Sequence, residues 1–468
     1  MIKIKDLHFC GPSVVDTFGR VFEYGGGYYR MIYKSSEVLC RELLESELFQ
    51  KLIQLRFIPN TYITDEIQIE GNPLVLKHET CYISKPNEWS FEMFKDAAIH
   101  ILKVNELCNQ YGYELKDAHP FNVTFHKGRP VFFDIGSIIK RKGKEWVAKE
   151  EFLQKCYLLL LLWVDEEYSI LRNILDANDM FSENRLLPRQ SFLDTPFFRQ
   201  KVLLSSSYQI HIRQFRFSFN GSSPVWLFQL VNRVSNCVLK KDVFHITCSY
   251  GFVNPTIEDV VKLSKKNRDV RKNDRCPVGQ GKQISQFVKI VDLIKAHCSD
   301  ARSAVDLSGN IGSLSVLLHQ SGQFDHVFVI NYDGTAVDRT YLYFKENELP
   351  IDVLYSNIVF PFDLASLCSR VQSDIAIACT MPNRLVLQQG VPLYAAFERF
   401  SLYTNKYIVV EYEALGVHDG QKMSPMPEWY TEGSFKRAFE EFFVLIHREE
   451  LETNRIVYIG EKRKEMHE

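Results

Sequence analysis

Downstream of residue 300 the chain alternates short apolar runs with helical stretches. Ala304–Leu307 reads as the end of a buried strand, and Phe328–Asp333, Ile351–Ile358, Asp374–Thr380 and Lys406–Glu411 read as four more. Gly334–Glu346 and Gln388–Tyr403 are the clearest helical stretches between them. Phe442–Ile446 and Arg455–Ile459 are two further strands, close enough in sequence to pair. Strands alternating with helices predict an α/β domain built on a doubly wound parallel sheet.

The pattern changes in the first 85 residues. Val21–Tyr24, Tyr28–Tyr33, Tyr62–Ile69 and Pro73–Leu76 are short β-like segments, and Glu37–Lys51 has helical composition and spacing. These predict a small, mostly β lobe with one helix. Gly25-Gly26-Gly27 lies between two of the strands, where a hairpin turn is favoured over a flexible loop covering phosphates. Lys144–Leu162 is a predicted helix, and Tyr157–Val164 is the most apolar run, far too short to span a bilayer. Gln214–Leu230 is rich in aromatic residues and predicts packing in preference to a substrate channel. Pro255–Lys282 concentrates lysine and arginine, as a linker with a solvated face does.

A length of 468 residues exceeds one ordinary core, so two or three domains are expected. With 46% hydrophobic and 24% charged residues the composition is globular. A net charge of −2 offers no global basic field for nucleic acid. Eleven scattered cysteines without C-x-x-C spacing read as reduced thiols of a cytoplasmic protein, neither a disulfide framework nor a zinc site. The opening MIKIKDLHFC lacks signal-peptide architecture.

Two stretches carry candidate chemistry. Ser303–Ser315 runs from a strand through the small-residue turn Ser308-Gly309-Asn310-Ile311-Gly312 into a helix start. Such a turn presents backbone N–H groups to the polar end of a ligand, and small residues let the ligand approach. In Gly112–Ser137, Asp117 and Asn122 stand five apart, and Asp134-Ile135-Gly136 begins twelve after Asn122. Oxygen ligands on two adjacent loops suit magnesium bridging nucleotide phosphates. The plain alternative is a carboxylate–amide network that ties the loops together.

The first stretch, with the strands after it, resembles class I S-adenosylmethionine (SAM) methyltransferases. The second resembles the catalytic and metal-binding loops of protein kinases and, more closely, of small-molecule phosphotransferases, whose Asp-x-His-Pro-x-Asn is matched by Asp117–Asn122. Together, Lys85–Ala98, Leu115–Phe125 and Gly128–Ser137 ahead of the SAM-like turn resemble a family of bacterial SAM-dependent methyltransferases with a kinase-like N-terminal region, related to nodulation-associated proteins. Pro86, Glu88, Trp89, Lys116, Asp117, Ala118, Asn122, Val123, Arg129, Pro130 and Asp134 fall on the family's phrases.

The resemblance implies four regions: a small β-rich kinase-like lobe over 1–85, a mostly helical kinase-like lobe over 86–255, a linker over 256–284, and a Rossmann-like methyltransferase domain over 285–468. It implies methyl transfer from SAM to a small molecule such as a sugar or natural-product precursor. Asp306, Ser308, Gly309, Asn310 and Gly312 would cradle the amino-acid end of SAM. Asn331 or Asp333 would meet the ribose, and Asp363 would lie near the adenine. An arginine at Gly312 is then expected to block the cofactor. In the kinase-like region Asp117 would face an attacking hydroxyl, and Asn122 and Asp134 would hold magnesium with ATP.

The departures from the family also matter. Ser308 replaces a glycine, Gly309 a cysteine and Asn331 an acid, and Thr380-Met381-Pro382-Asn383-Arg384-Leu385 stands where the family has His-His-Leu. No base for methyl transfer is identified. Asp363 reads equally as a helix N-cap; Glu411 ends the fifth strand, facing a substrate cleft or capping a loop, and Arg384 lies beyond the fourth strand's carboxyl end, where it meets a ligand or solvent. Two alternatives stand beside methyl transfer: phosphoryl transfer through Asp117, Asn122 and Asp134, and a non-catalytic scaffold for a protein partner.

Overall fold

The computed structural model describes residues 2–10, 13, 16–164, 166, 168, 171, 175, 207–212, 215–220, 244–249, 256–264, 282–308, 311–416, 426–452 and 454–463. The chain divides into two compact units that do not follow its order. Residues 1–100, 123–136 and 270–468 form the first, and residues 101–122 and 137–269 the second. These seams lie elsewhere than the expected boundaries at 85, 255 and 284.

The first unit opens with a five-stranded antiparallel sheet. Its strands are β1 (His8–Phe9), β2 (Gly19–Tyr24), β3 (Gly27–Ile32), β4 (Thr61–Ile63) and β5 (Val75–His78), in the order β1-β2-β3-β5-β4. Gly25 and Gly26, with φ of 58° and 76°, turn the β2–β3 hairpin, a conformation that side chains disfavour. Phe22, Tyr29, Met31, Ile67, Ile69 and Val75 pack together on this sheet. The helix expected over Glu37–Lys51 is two, Glu37–Leu44 and Glu47–Gln54. Ser46 separates them and caps the second by accepting the Phe49 N–H at 3.2 Å.

The chain then passes between units. β6 (Tyr113–Leu115) belongs to the second unit, and the hairpin of β7 (Val123–His126) and β8 (Arg129–Phe132) belongs to the first. β9 (Ile138–Lys140) returns to the second and pairs antiparallel with β6. There, Asn105 Oδ1 accepts the Leu115 N–H at 3.0 Å, and the Trp146 indole donates to the Leu115 carbonyl at 2.8 Å. The helix expected over Lys144–Leu162 begins at Lys149 and runs to Val164 through a π-turn at Leu153–Tyr157. β10 (Ser207–Ile212), β11 (Phe215–Asn220) and β12 (Phe244–Ser249) form a sheet ordered β11-β10-β12. Much of the basic stretch Pro255–Lys282 lies outside the described residues; its described part includes the helix Ile257–Val261.

The first unit's large sheet holds β13 (Ser303–Asp306), β14 (His326–Asn331), β15 (Asp352–Tyr355), β16 (Ser373–Ala378), β17 (Thr404–Tyr412), β18 (Phe443–Glu452) and β19 (Arg455–Lys462). Their order is β15-β14-β13-β16-β17-β19-β18. β13 to β17 are parallel, and β19 runs antiparallel between β17 and β18. This is an α/β fold, and every strand expected after residue 300 is present. Successive strands step outward from β13 to β15 and then from β16 to β17, so the winding reverses at β13 and β16. Open α/β sheets bind ligands beyond the carboxyl ends of their strands at such a reversal.

Val305, Ile330, Leu354, Ala376, Ile408 and Val410 are buried with Leu385, Phe397 and Phe400 from the helices Met381–Leu387 and Leu393–Ser401. The helix Gly334–Glu346 has its predicted bounds. The earlier segments of this unit also reach the large sheet. The Arg370 guanidinium grips both oxygens of Glu88, and the Tyr341 hydroxyl and Lys345 ammonium donate to Asp96. Asp352 accepts the backbone N–H groups of Lys127 and Gly128 at 3.1 and 2.8 Å. The rings of Tyr82 and Phe328 lie 4.6 Å apart, and those of Phe125 and Tyr341 5.5 Å. Among the described residues no helix is long and apolar enough to cross a membrane.

Candidate functional site

The turn after β13 is braced from within. Asp306 is buried; its Oδ1 accepts the Ser308 N–H at 3.0 Å and the Ser308 hydroxyl, while its Oδ2 accepts the Ser315 hydroxyl at 2.7 Å. One carboxylate thus links the strand end, the turn and the helix Ser313–Gln320. Gly309 and Asn310 lie outside the described residues. Gly312 occupies the N-cap and has no side chain to cap the helix, whereas Asp333, Asp363 and Thr431 cap theirs. First-turn N–H groups at the end of a parallel strand suit a carboxylate, and in that respect they fit the amino-acid end of SAM.

Gly312 itself needs a correction. Its φ is 78°, and a Cβ there would stand 2.6 Å from Phe344 Cζ and 2.8 Å from Thr340 Cγ2. A side chain would therefore strike the helix Gly334–Glu346 before it reached any ligand. The glycine is demanded by backbone conformation and helix packing, so an arginine there reports on folding and not on cofactor space.

The residues expected at the ribose and adenine are already engaged. Asn331 ends β14, and its Oδ1 accepts the Asp333 N–H at 2.9 Å. Asp333 caps its helix by accepting the N–H groups of Thr335 and Ala336 at 2.8 and 3.3 Å. Asp363 caps the helix Leu364–Val371 through the Ser366 N–H at 3.0 Å and lies 3.6 Å from Lys85 Nζ. The Ser366 N–H and the nearby Lys85 charge hold its carboxyl below the usual carboxylate range.

The kinase-like residues divide between the units, with Asp134 in the first and Asp117 and Asn122 in the second. Asp134 Oδ1 accepts from Arg30 Nη1 at 3.4 Å and from the Gly136 N–H at 3.2 Å. Arg30 is buried and also donates to Asp16 at 2.8 Å. A guanidinium at the oxygen expected to bind magnesium repels a metal cation, so the expected magnesium and ATP find no support at Asp134. Asp117 exchanges backbone hydrogen bonds with the Ser137 hydroxyl, and Lys116 Nζ lies 3.8 Å from its carboxylate. Asn122 is buried, and its Nδ2 has no hydrogen-bond partner among the described residues.

At the end of β17 stands a polar group that the motifs only partly marked. Glu411 is fully buried, and Glu413 nearly so. Arg455, opening β19, lies 3.7 Å from Glu411 and 3.9 Å from Glu413. Buried Asn383 holds the strand end: its Nδ2 donates to the Glu411 carbonyl at 3.2 Å, and its Oδ1 accepts the Glu413 N–H at 3.3 Å and the Tyr430 hydroxyl. Burial raises the Glu411 carboxyl, with Arg455 and the Thr380 N–H only partly opposing. Burial also pushes Glu413 up to about 7, against the attraction of Arg455 and with the repulsion of Glu411. Glu411 was marked by its place at the end of the fifth strand, whereas Glu413, Asn383, Tyr430 and Arg455 were not. The available signal was the Glu-x-Glu spacing after an apolar strand, which places both acids on one face.

No family profile matches the chain. The chain is similar to nodulation protein NoeA of Rhizobium meliloti (strain 1021), at 24% identity over 337 residues; these span 68% of this chain and 66%, just under two thirds, of that protein. An S-adenosylmethionine-dependent methyltransferase from Clostridium acetobutylicum ATCC 824 overlays 39% of this chain and 92% of its own, at 13% identity and a TM-score of 0.31. An O-methyltransferase family protein from Burkholderia thailandensis overlays 42% of this chain and 61% of its own, at 11% identity and a TM-score of 0.32. These structural overlays leave more than half of the chain unmatched.

Proposed function

We propose that the first unit is a SAM-dependent methyltransferase acting on a small molecule. The observation that carries the reading is the large sheet: five parallel strands with the reversed β19 inserted beside β17, and a glycine-capped helix directly after β13. The antiparallel terminal pair is typical of methyltransferase sheets and not of dehydrogenase sheets. Bound there, SAM would supply a methyl group on a cationic sulfur. The chain's part is to seat the carboxylate on the N–H groups of the helix Ser313–Gln320, with Asp306 keeping the turn rigid, and to align an acceptor with the methyl group.

Calorimetry of the full chain with SAM and with its product S-adenosylhomocysteine (SAH) tests this. Both are expected to bind, and Asp306→Ala, which frees Ser308 and Ser315, is expected to weaken both by about tenfold or more, the loss of a charge-assisted brace. No heat with either compound refutes the reading. ATP with magnesium is expected to give none.

A further inference from the structure

The group at the end of β17 is used neither by the packing of the sheet nor by the turn after β13. Among the described residues the Thr380 N–H lies near Glu411 but neither oxygen of Glu411 has a well-formed hydrogen bond, and Glu413 Oε2 and Arg455 Nη1 are likewise buried without one. The separations of 3.7 and 3.9 Å from Arg455 allow attraction but exceed hydrogen-bond length. Buried polar atoms are nearly always bonded, so three acceptor oxygens and a donor left open together suit a molecule bearing several hydroxyls. The register sets Asp306 beside Ile377 and Ala378 beside Val410. The turn after Asp306 and the end of β17 are therefore two strand spacings apart, roughly 10 Å, at the same edge of the sheet.

We propose that Glu411, Glu413 and Arg455 form the methyl-acceptor pocket for a polyhydroxylated small molecule, with Glu413 as the catalytic residue that takes the proton of the reacting hydroxyl. The proposal rests on the methyltransferase reading. As the acceptor oxygen bonds to the methyl carbon, the carbon–sulfur bond breaks and its electron pair stays on sulfur. The hydroxyl proton passes to the Glu413 carboxylate and then to water. Glu411 and Arg455 hold the neighbouring hydroxyls. The charged and titratable groups facing Glu413 are Arg455, Glu411, Arg384 and Tyr430, with Glu452 and Cys379 acting on or sensing Glu411. With its carboxyl raised to about 7 by burial, Glu413 can both accept and release a proton near neutrality.

A cationic sulfur in this crevice favours the ionised form of Glu413, whereas the neutral sulfur of SAH does not. Calorimetry of the full chain with SAM and SAH, at about pH 6 and about pH 8 and in buffers of differing ionisation enthalpy, reads this directly. SAM is expected to release protons on binding and to gain up to about tenfold in affinity over SAH as the pH rises, the equivalent of one pKa unit. Glu413→Gln is expected to abolish both effects while still binding SAH. Equal proton release with SAM and SAH in the wild-type protein overturns the assignment without recourse to any variant, as does a pH profile retained by Glu413→Gln. Failure of both compounds to bind overturns the methyltransferase reading, and this inference with it.

Discussion

At Gly312 a positive φ and two close neighbours act together, so even the smallest side chain is excluded. Gly312→Ala is expected to cost about 2–4 kcal/mol, from left-handed strain plus overpacking against Phe344 and Thr340, measured as a shift in the denaturant midpoint without ligand. Glu413 is the opposite case, a residue tolerated for its chemistry at a cost in stability. Its folded pKa of about 7 lies above the ordinary glutamate value, so the native state keeps a proton that the unfolded chain has already lost. Stability is therefore expected to fall as pH rises from about 4.5 through 7, by up to about 3 kcal/mol. Glu411, also raised by burial, adds to the same slope. Urea midpoints at acid and mildly alkaline pH check this, and Glu413→Gln is expected to flatten the dependence.

Among the elements, helix starts differ in how they are capped. Asp333 and Asp363 hold first-turn N–H groups, while the helix Ser313–Gln320 has a glycine at its N-cap. Asn caps about as well as Asp, and Ala does not. Asp363→Ala is accordingly expected to lose about 1 kcal/mol of stability in chemical denaturation, and Asp363→Asn to recover most of it. An Asp363→Asn variant as unstable as the alanine variant would show that the carboxylate charge near Lys85 matters more than the cap. The hairpin β7–β8 shows how a short element gains a fixed place: the Lys127 and Gly128 N–H groups at its tip end on buried Asp352.

The first unit joins segments far apart in the sequence, and its seams follow packing and not chain order. Arg370 and Glu88 form a mostly buried pair. Arg370→Ala leaves that carboxylate without its cation, and a loss of about 3 kcal/mol is expected, read from the thermal midpoint with Glu88→Gln/Arg370→Ala as the compensating double variant. A chain cut to residues 285–468 exposes the faces of Phe328 and Tyr341 that Tyr82 and Phe125 cover. It is expected to aggregate or to unfold without cooperativity, as size-exclusion chromatography and calorimetric scanning would show.

The alternation of apolar runs with helical stretches was sufficient to place the seven strands of the large sheet, because a strand buried on both faces and the helix covering it leave strong local patterns. The bend after Asp306 and the β2–β3 turn were legible for a similar reason, since small residues mark sharp chain reversals. Local pattern carries no information on contacts between distant segments. It could not show that Glu88 meets Arg370, that a guanidinium meets Asp134, or that a side chain at Gly312 would strike Phe344. Nor could it bring Asn383, Glu413 and Arg455 to one strand end, because that cluster exists only when β19 turns back beside β17. Long-range pairing and burial assign those residues their charge states and partners, and both are properties of the folded chain.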